Sequence, residues 1–143
     1  MKARDSGAYC LLIRLDRAAE ATIGRLGRFR FPAGYYVYCG SAARGLGART
    51  ARHQRGAKTI HWHIDYLLAL PEARLVACVP YPSERRRECE FNGSVQRQRG
   101  ARVPVPGFGS SDCRAGCPAH LTHFRQRPRL PSRKRYNVQV VNS

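Results

Sequence analysis

Short apolar runs alternate with arginine-rich polar stretches along this chain, and the spacing of each run predicts an element. "GAYCLLIRL" (7–15) is continuous apolar sequence opened by a glycine and closed by Asp16, the pattern of a buried strand. Residues 18–32 read as a loop followed by a second strand with Phe29 and Phe31 on one face. "YYVYC" (35–39), bounded by Gly34 and Gly40, predicts another strand, paired as an antiparallel hairpin or meander. Alternation sets Tyr36 and Tyr38 on one face and Tyr35 on the other. In "GLGARTARH", Leu46, Arg49, Thr50 and His53 recur at helical spacing. "HWHIDYLLAL" (61–70) is a second helix stopped by Pro71, and "ARLVACVPY" (73–81) a further strand. "SERRRECEF" (83–91) predicts a helix capped by Ser83, which Asn92-Gly93 should interrupt after about two turns. A Pro/Gly-rich loop then leads into a Cys/His cluster. This order implies an α+β fold: a small mixed or antiparallel three-stranded sheet flanked by helices, over residues 1–124. The basic stretch 125–143 is expected to be a disordered tail.

Charge sharpens the picture. The 143 residues carry 26 Lys and Arg against 9 Asp and Glu, a formal charge of +17. Such an excess repels itself unless a polyanion lies nearby, so nucleic acid is the expected partner. Between Glu20 and Asp65 there is no acid, while Arg44, Arg49, Arg52, Arg55 and Lys58 fall in that window. Arginine usage can reflect base composition alone, but the missing acids are not explained that way. Arg44, Arg52, Arg55 and Lys58 are the expected phosphate contacts, with Arg52 and Arg55 on a solvated helix face. No run of about 18 apolar residues predicts a membrane span. "MKARDSGAY" lacks an apolar leader core, so a cytoplasmic protein is expected. Six cysteines in that compartment suggest thiols or metal ligands.

Cys113, Cys117, His120 and His123 form C-x3-C-x2-H-x2-H. Zinc needs four converging N or S ligands, and this spacing departs from the usual pairs. Packing or site-lining roles are therefore preferred, with zinc the alternative. Cys10, Cys39, Cys78 and Cys89 read as core thiols. Asp65 is either a ligand or orienter, or a partner of His61 one helical turn earlier.

Gly7-Ala8-Tyr9, Tyr38-Cys39-Gly40 and the "ARTARH" helix resemble the GIY-YIG nuclease superfamily, with Ala8 and Cys39 replacing larger apolar residues. "HWHIDYLL", "ECE" and "GFGSSDC…CPAHL" resemble a branch of that superfamily found alone or fused to endonuclease-III-type repair enzymes. The resemblance covers residues 7 to about 124. It implies a metal-dependent endonuclease, with DNA as substrate, a role in repair and association with a DNA repair glycosylase. Tyr9 and Tyr38 would orient or deprotonate the attacking water, and Arg49 would clamp the scissile phosphate. Glu88 would hold one Mg²⁺ or Mn²⁺. His53 is a proton donor or a packing residue near the helix end. A cationic surround predicts a lowered pKa for Tyr38. The alternatives are a non-catalytic basic nucleic-acid-binding domain on the same scaffold, favoured if the Glu88 helix breaks, and an RNA-directed factor.

Overall fold

Strand β1 (Gly7–Leu15) runs through the centre of the molecule, and every residue in it except Arg14 is buried. The computed structural model describes residues 5–55, 59–84, 87–110, 113 and 115–132. Within them, β1 pairs antiparallel on one side with β4 (Gly34–Ala42) and on the other with β5 (Ala73–Pro82). A fourth strand, β6 (Leu121–Phe124), pairs antiparallel with β4, giving the order β5-β1-β4-β6. The α+β class is as expected, with one strand more than the three anticipated. Strands β2 (Ala19–Thr22) and β3 (Arg28–Phe31) make a separate two-stranded hairpin between β1 and β4 in the chain.

Both faces of the sheet are covered, which explains why β1 is apolar throughout rather than alternating. Tyr9, Leu11, Ile13 and Leu15 share one face with Tyr36 and Tyr38. There they meet Leu46 from α1 (Leu46–Gln54) and Ile64 and Leu67 from α2 (His63–Leu68). Ala8, Cys10, Leu12, Val37 and Cys39 form the other face, against Phe91 and Val95 of α3 (Glu88–Gln96). Phe91 stacks on Tyr81 of β5 at a centroid distance of 4.4 Å.

Two helix ends depart from expectation. Ser83 does not cap α3; its N–H donates to the Ser6 carbonyl, and its own carbonyl accepts from Ser6 Oγ. The helix begins at Glu88 and runs on through Asn92-Gly93. Asn92 sustains it because its side chain is buried and donates from Nδ2 to the Ala119 carbonyl at 2.8 Å, joined there by Gln96 Nε2. A polar residue that would disfavour an isolated helix here ties the helix to the segment before β6. For α1, the first free N–H groups go to Asp5, whose carbonyl serves Leu46 and whose carboxylate serves Gly47.

The part of the expected tail that is described, 125–132, carries no regular element but lies against the domain. Leu130 packs on the α3-side core, the Tyr81 hydroxyl donates to the Pro131 carbonyl, and Gln98 and Arg129 exchange two hydrogen bonds. Residues 133–143 lie outside the described residues, as does Lys58.

Candidate active site and metal centre

At the β1/β4 register Tyr9 sits opposite Gly40. A side chain there would displace Tyr9, because a Cβ on Gly40 would come within 2.5 Å of the Tyr9 ring and hydroxyl. The missing side chain lets the Tyr9 ring lie across β4 toward Tyr38, with centroids 6.2 Å apart. Gly109 does the same from the far side. Its φ of +69° suits glycine, and a Cβ there would press the Tyr38 ring at 2.8 Å. His63 fixes that loop by accepting the Gly109 N–H on Nδ1 at 2.9 Å.

The two rings border a cleft of about 340 Å³ that also takes in Ser41, Arg49, Trp62, Glu88, Cys113 and His120. Four residues read from the sequence, Tyr9, Tyr38, Arg49 and Glu88, thus line one cavity although they span 80 positions of the chain. Arg49 is held by its Nη1 donating to the Ser41 carbonyl at 3.0 Å and by Trp62, whose ring lies 4.5 Å from the guanidinium carbon. His53 stands behind the cleft, buried, with Nε2 2.9 Å from the Tyr9 hydroxyl.

Two expectations are corrected. The Tyr38 pKa is not lowered: burial pushes it well above the ordinary value, Tyr9 adds to the rise, and Arg49 opposes it only in part. Tyr9 is likewise raised by burial, to about 12, against the pull of Arg49. Sequence charge counted the arginines but not the loss of water around the phenols, and desolvation is the larger effect. Second, Arg52 is not on a solvated face. Its side chain is only 17% exposed and forks onto Asp65 with both bonds at 2.9 Å, while Nη2 also donates to the Thr59 carbonyl. Its guanidinium carbon lies 4.4 Å from the Trp62 ring. Asp65 in turn accepts the backbone N–H groups of His61 and Trp62. Burial alone would raise the Asp65 carboxyl, but Arg52 and those two N–H groups hold it below its ordinary value. Asp65 therefore orients Arg52 and the Trp62 turn, and its bond is to the His61 backbone rather than its ring. Arg44 and Arg55 are exposed, as expected.

The opposite wall is built from sulfur, imidazole and one carboxylate. Cys89, Cys113, Cys117 and His120 bring one ligand atom each within 4.8 Å of one another, a group that could hold a metal ion. Cys89 Sγ lies 3.5 Å from Cys113 Sγ and 3.6 Å from His120 Nε2. Around a tetrahedral zinc with Zn–S of 2.3 Å, ligand atoms stand about 3.8 Å apart, so little movement separates this cluster from a closed site. Three of these donors are those read from the sequence, and the fourth is not. His123 is in β6, where strand alternation turns its ring onto Tyr36 at 4.9 Å and its Nε2 meets the Ala33 carbonyl. Cys89 takes its place, being in the first turn of α3 rather than a core thiol. Burial tends to raise the Cys113 thiol, but the Cys117 N–H and the His120 side chain bring it down to about 6. Cys89 is raised, by burial first and then by Cys113 and Cys117.

Glu88 lies beside this cluster in the cleft. Its Oε2 is buried with no hydrogen-bond partner among the described residues. A buried, unsatisfied carboxylate oxygen is costly unless a cation reaches it.

A family model described as "Domain of unknown function DUF123" matches residues 8–142. No curated protein and no solved structure matches the chain.

Proposed function

The chain belongs to the DUF123 family, and we propose that it is a metal-dependent endonuclease-like domain that hydrolyses DNA phosphodiester bonds. The observation that carries the reading is the convergence of Tyr9, Tyr38, Arg49 and Glu88 on one cleft. The resemblance to GIY-YIG nucleases assigns these residues the same chemistry. Scission requires an oriented water, positive charge on the phosphorane-like transition state and stabilisation of the leaving oxygen.

Arg49, held from behind by Ser41 and Trp62, offers its remaining N–H groups to the phosphate. Glu88 would hold Mg²⁺ or Mn²⁺, and its unpartnered Oε2 fits a hard cation. When bound, that ion supplies Lewis-acid stabilisation of phosphoryl oxygens. With both phenols raised by burial, Tyr9 and Tyr38 stay protonated near neutral pH and orient the water through hydrogen bonds rather than deprotonating it. The Tyr9–His53 bond fixes the direction of the Tyr9 hydroxyl from behind the cleft. Zinc is the metal we assign to Cys89, Cys113, Cys117 and His120, since three sulfurs and an imidazole suit it and suit Mg²⁺ poorly. There it would pin the first turn of α3 to the 113–120 segment and hold Glu88 at the cleft. The rival reading, a binding domain without cleavage, drew on an early break in the Glu88 helix, and α3 is continuous across that position.

The test is incubation of the purified protein with nicked, flapped, plain duplex and single-stranded DNA, and with RNA, with Mg²⁺ or with chelator. Chelator-sensitive DNA cleavage is expected, falling about 10²- to 10³-fold in Arg49→Ala and Glu88→Gln. Tight, salt-sensitive binding without product overturns the enzyme reading, and cleavage confined to RNA overturns the substrate. Metal analysis is expected to give about one zinc per chain, lost in Cys117→Ser; wild-type protein without zinc retires the zinc assignment.

A further inference from the structure

At the other end of β4 from the cleft, a groove of about 1040 Å³ runs between the segment 98–104, the turn at Pro32-Ala33 and the strap 123–129. Among the described residues five arginines line it, Arg99, Arg102, Arg125, Arg127 and Arg129, and no Asp or Glu does. All five are exposed. The floor between them includes Pro32, Val103, Pro104, Phe124 and Pro128.

The walls are held in place by contacts that leave the guanidinium groups out of the scaffold. The Arg102 backbone pairs with His123 in both directions. The Arg129 backbone is gripped by Gln98, from Nε2 to its carbonyl at 2.6 Å and from its N–H to Oε1 at 3.1 Å. His123 Nε2 meets the Ala33 carbonyl at 2.9 Å and so closes the turn against β6. Like charges on separate, fixed walls repel across the space between them, so an anion bridging both sides is the ligand this arrangement stabilises. Planar guanidinium forks select phosphate oxygens, and the apolar floor leaves room for a sugar or base edge.

We propose that this groove is a second nucleic-acid-binding site that takes the sugar-phosphate backbone of a strand at a distance from the cleft. The path along β4 from Ala33 to Gly40 fixes that distance at roughly 20 Å, from a rise of about 3.3 Å per residue. At 3.4 Å of axis per nucleotide of one strand, the two sites lie about six nucleotides apart. A ligand long enough to reach both is bound more tightly than one that reaches either alone.

The experiment measures affinity of the Glu88→Gln protein for a fluorescein-labelled duplex across a salt series, so that cleavage neither adds to nor hides the result. A parallel arm uses single-stranded DNA and RNA of the same sequence. The triple variant Arg99→Ala/Arg125→Ala/Arg127→Ala is compared with Arg17→Ala/Arg25→Ala/Arg30→Ala, which loses the same charge from exposed positions outside both cavities. For the groove variant we expect affinity to fall at least about tenfold and the salt slope for duplex to shrink by about 2 to 3. The matched control should change far less. Equal losses in the two triples, or none in the groove variant, overturn the proposal. Glutamine at the same three positions keeps side-chain bulk and must reproduce the alanine result; retained affinity there overturns the charge argument. Binding lost here with no cleavage seen on any substrate keeps the groove and removes the nuclease.

Discussion

The two walls of the cleft are finished to different degrees. On the tyrosine wall the main polar groups are held by protein partners: Tyr9 meets His53, Arg49 meets Ser41 and Trp62, and Arg52 meets Asp65. On the cysteine wall Glu88 keeps a buried oxygen with no partner among the described residues, and three sulfurs and an imidazole crowd within 4.8 Å of one another. The first wall is braced by its own side-chain contacts. The second presents donor atoms that could hold a metal ion. One wall braced by its own contacts and another that gathers potential metal ligands is the lesson of the contrast.

That contrast can be broken from the tyrosine side first. Arg52→Ala leaves the fully buried Asp65 without its counter-charge and should cost about 3–5 kcal/mol of stability, read by denaturant unfolding. Cys117→Ser, by comparison, should act through metal content and leave the Arg52–Asp65 pair intact. A smaller effect is expected for Gly40→Ala. The new methyl displaces the Tyr9 ring, costing about 1–3 kcal/mol by overpacking, and should suppress cleavage while zinc content is unchanged. Loss of zinc in that variant would show that the walls are not independent.

The smallest effect is in the pH dependence. Asp65 is held below its ordinary value in the folded chain, so its stabilising contribution is present above 3.8 and fades as pH falls through the lower folded value. Wild type should lose stability along that acid limb, and Arg52→Ala should lose less of it, as followed by thermal unfolding between about pH 5 and 2.

How much of this was legible beforehand divides along the same line. β1, β4, α1 and β5 were readable because each is a short apolar run with a clear boundary, and Tyr9, Tyr38, Arg49 and Glu88, singled out by motif resemblance, line one cleft. The Arg52–Asp65 pair was not, since helix spacing places Arg52 relative to Leu46 and His53 but carries no information on α2 packing across it. Trp62, the sole tryptophan, lay within a quoted motif, yet its place against two guanidinium groups depends on tertiary contact. Cys89 was missed for His123 because ligand spacing was sought within one loop, whereas the cluster draws its first member from a helix 24 residues upstream. The expected Tyr38 pKa direction failed for a related reason: charge can be counted along a chain, and burial cannot.

Residues 88 and 89 adjoin in the chain yet look into different compartments, an oxygen to the cleft and a sulfur to the thiol knot. A helix turns about 100° with each residue, so this division of labour is a matter of phase. Slipping α3 by a single position would swing both donors off target together, whatever their identities. The register of one short helix therefore couples two otherwise separate chemistries, and insertions there should be far less tolerated than substitutions.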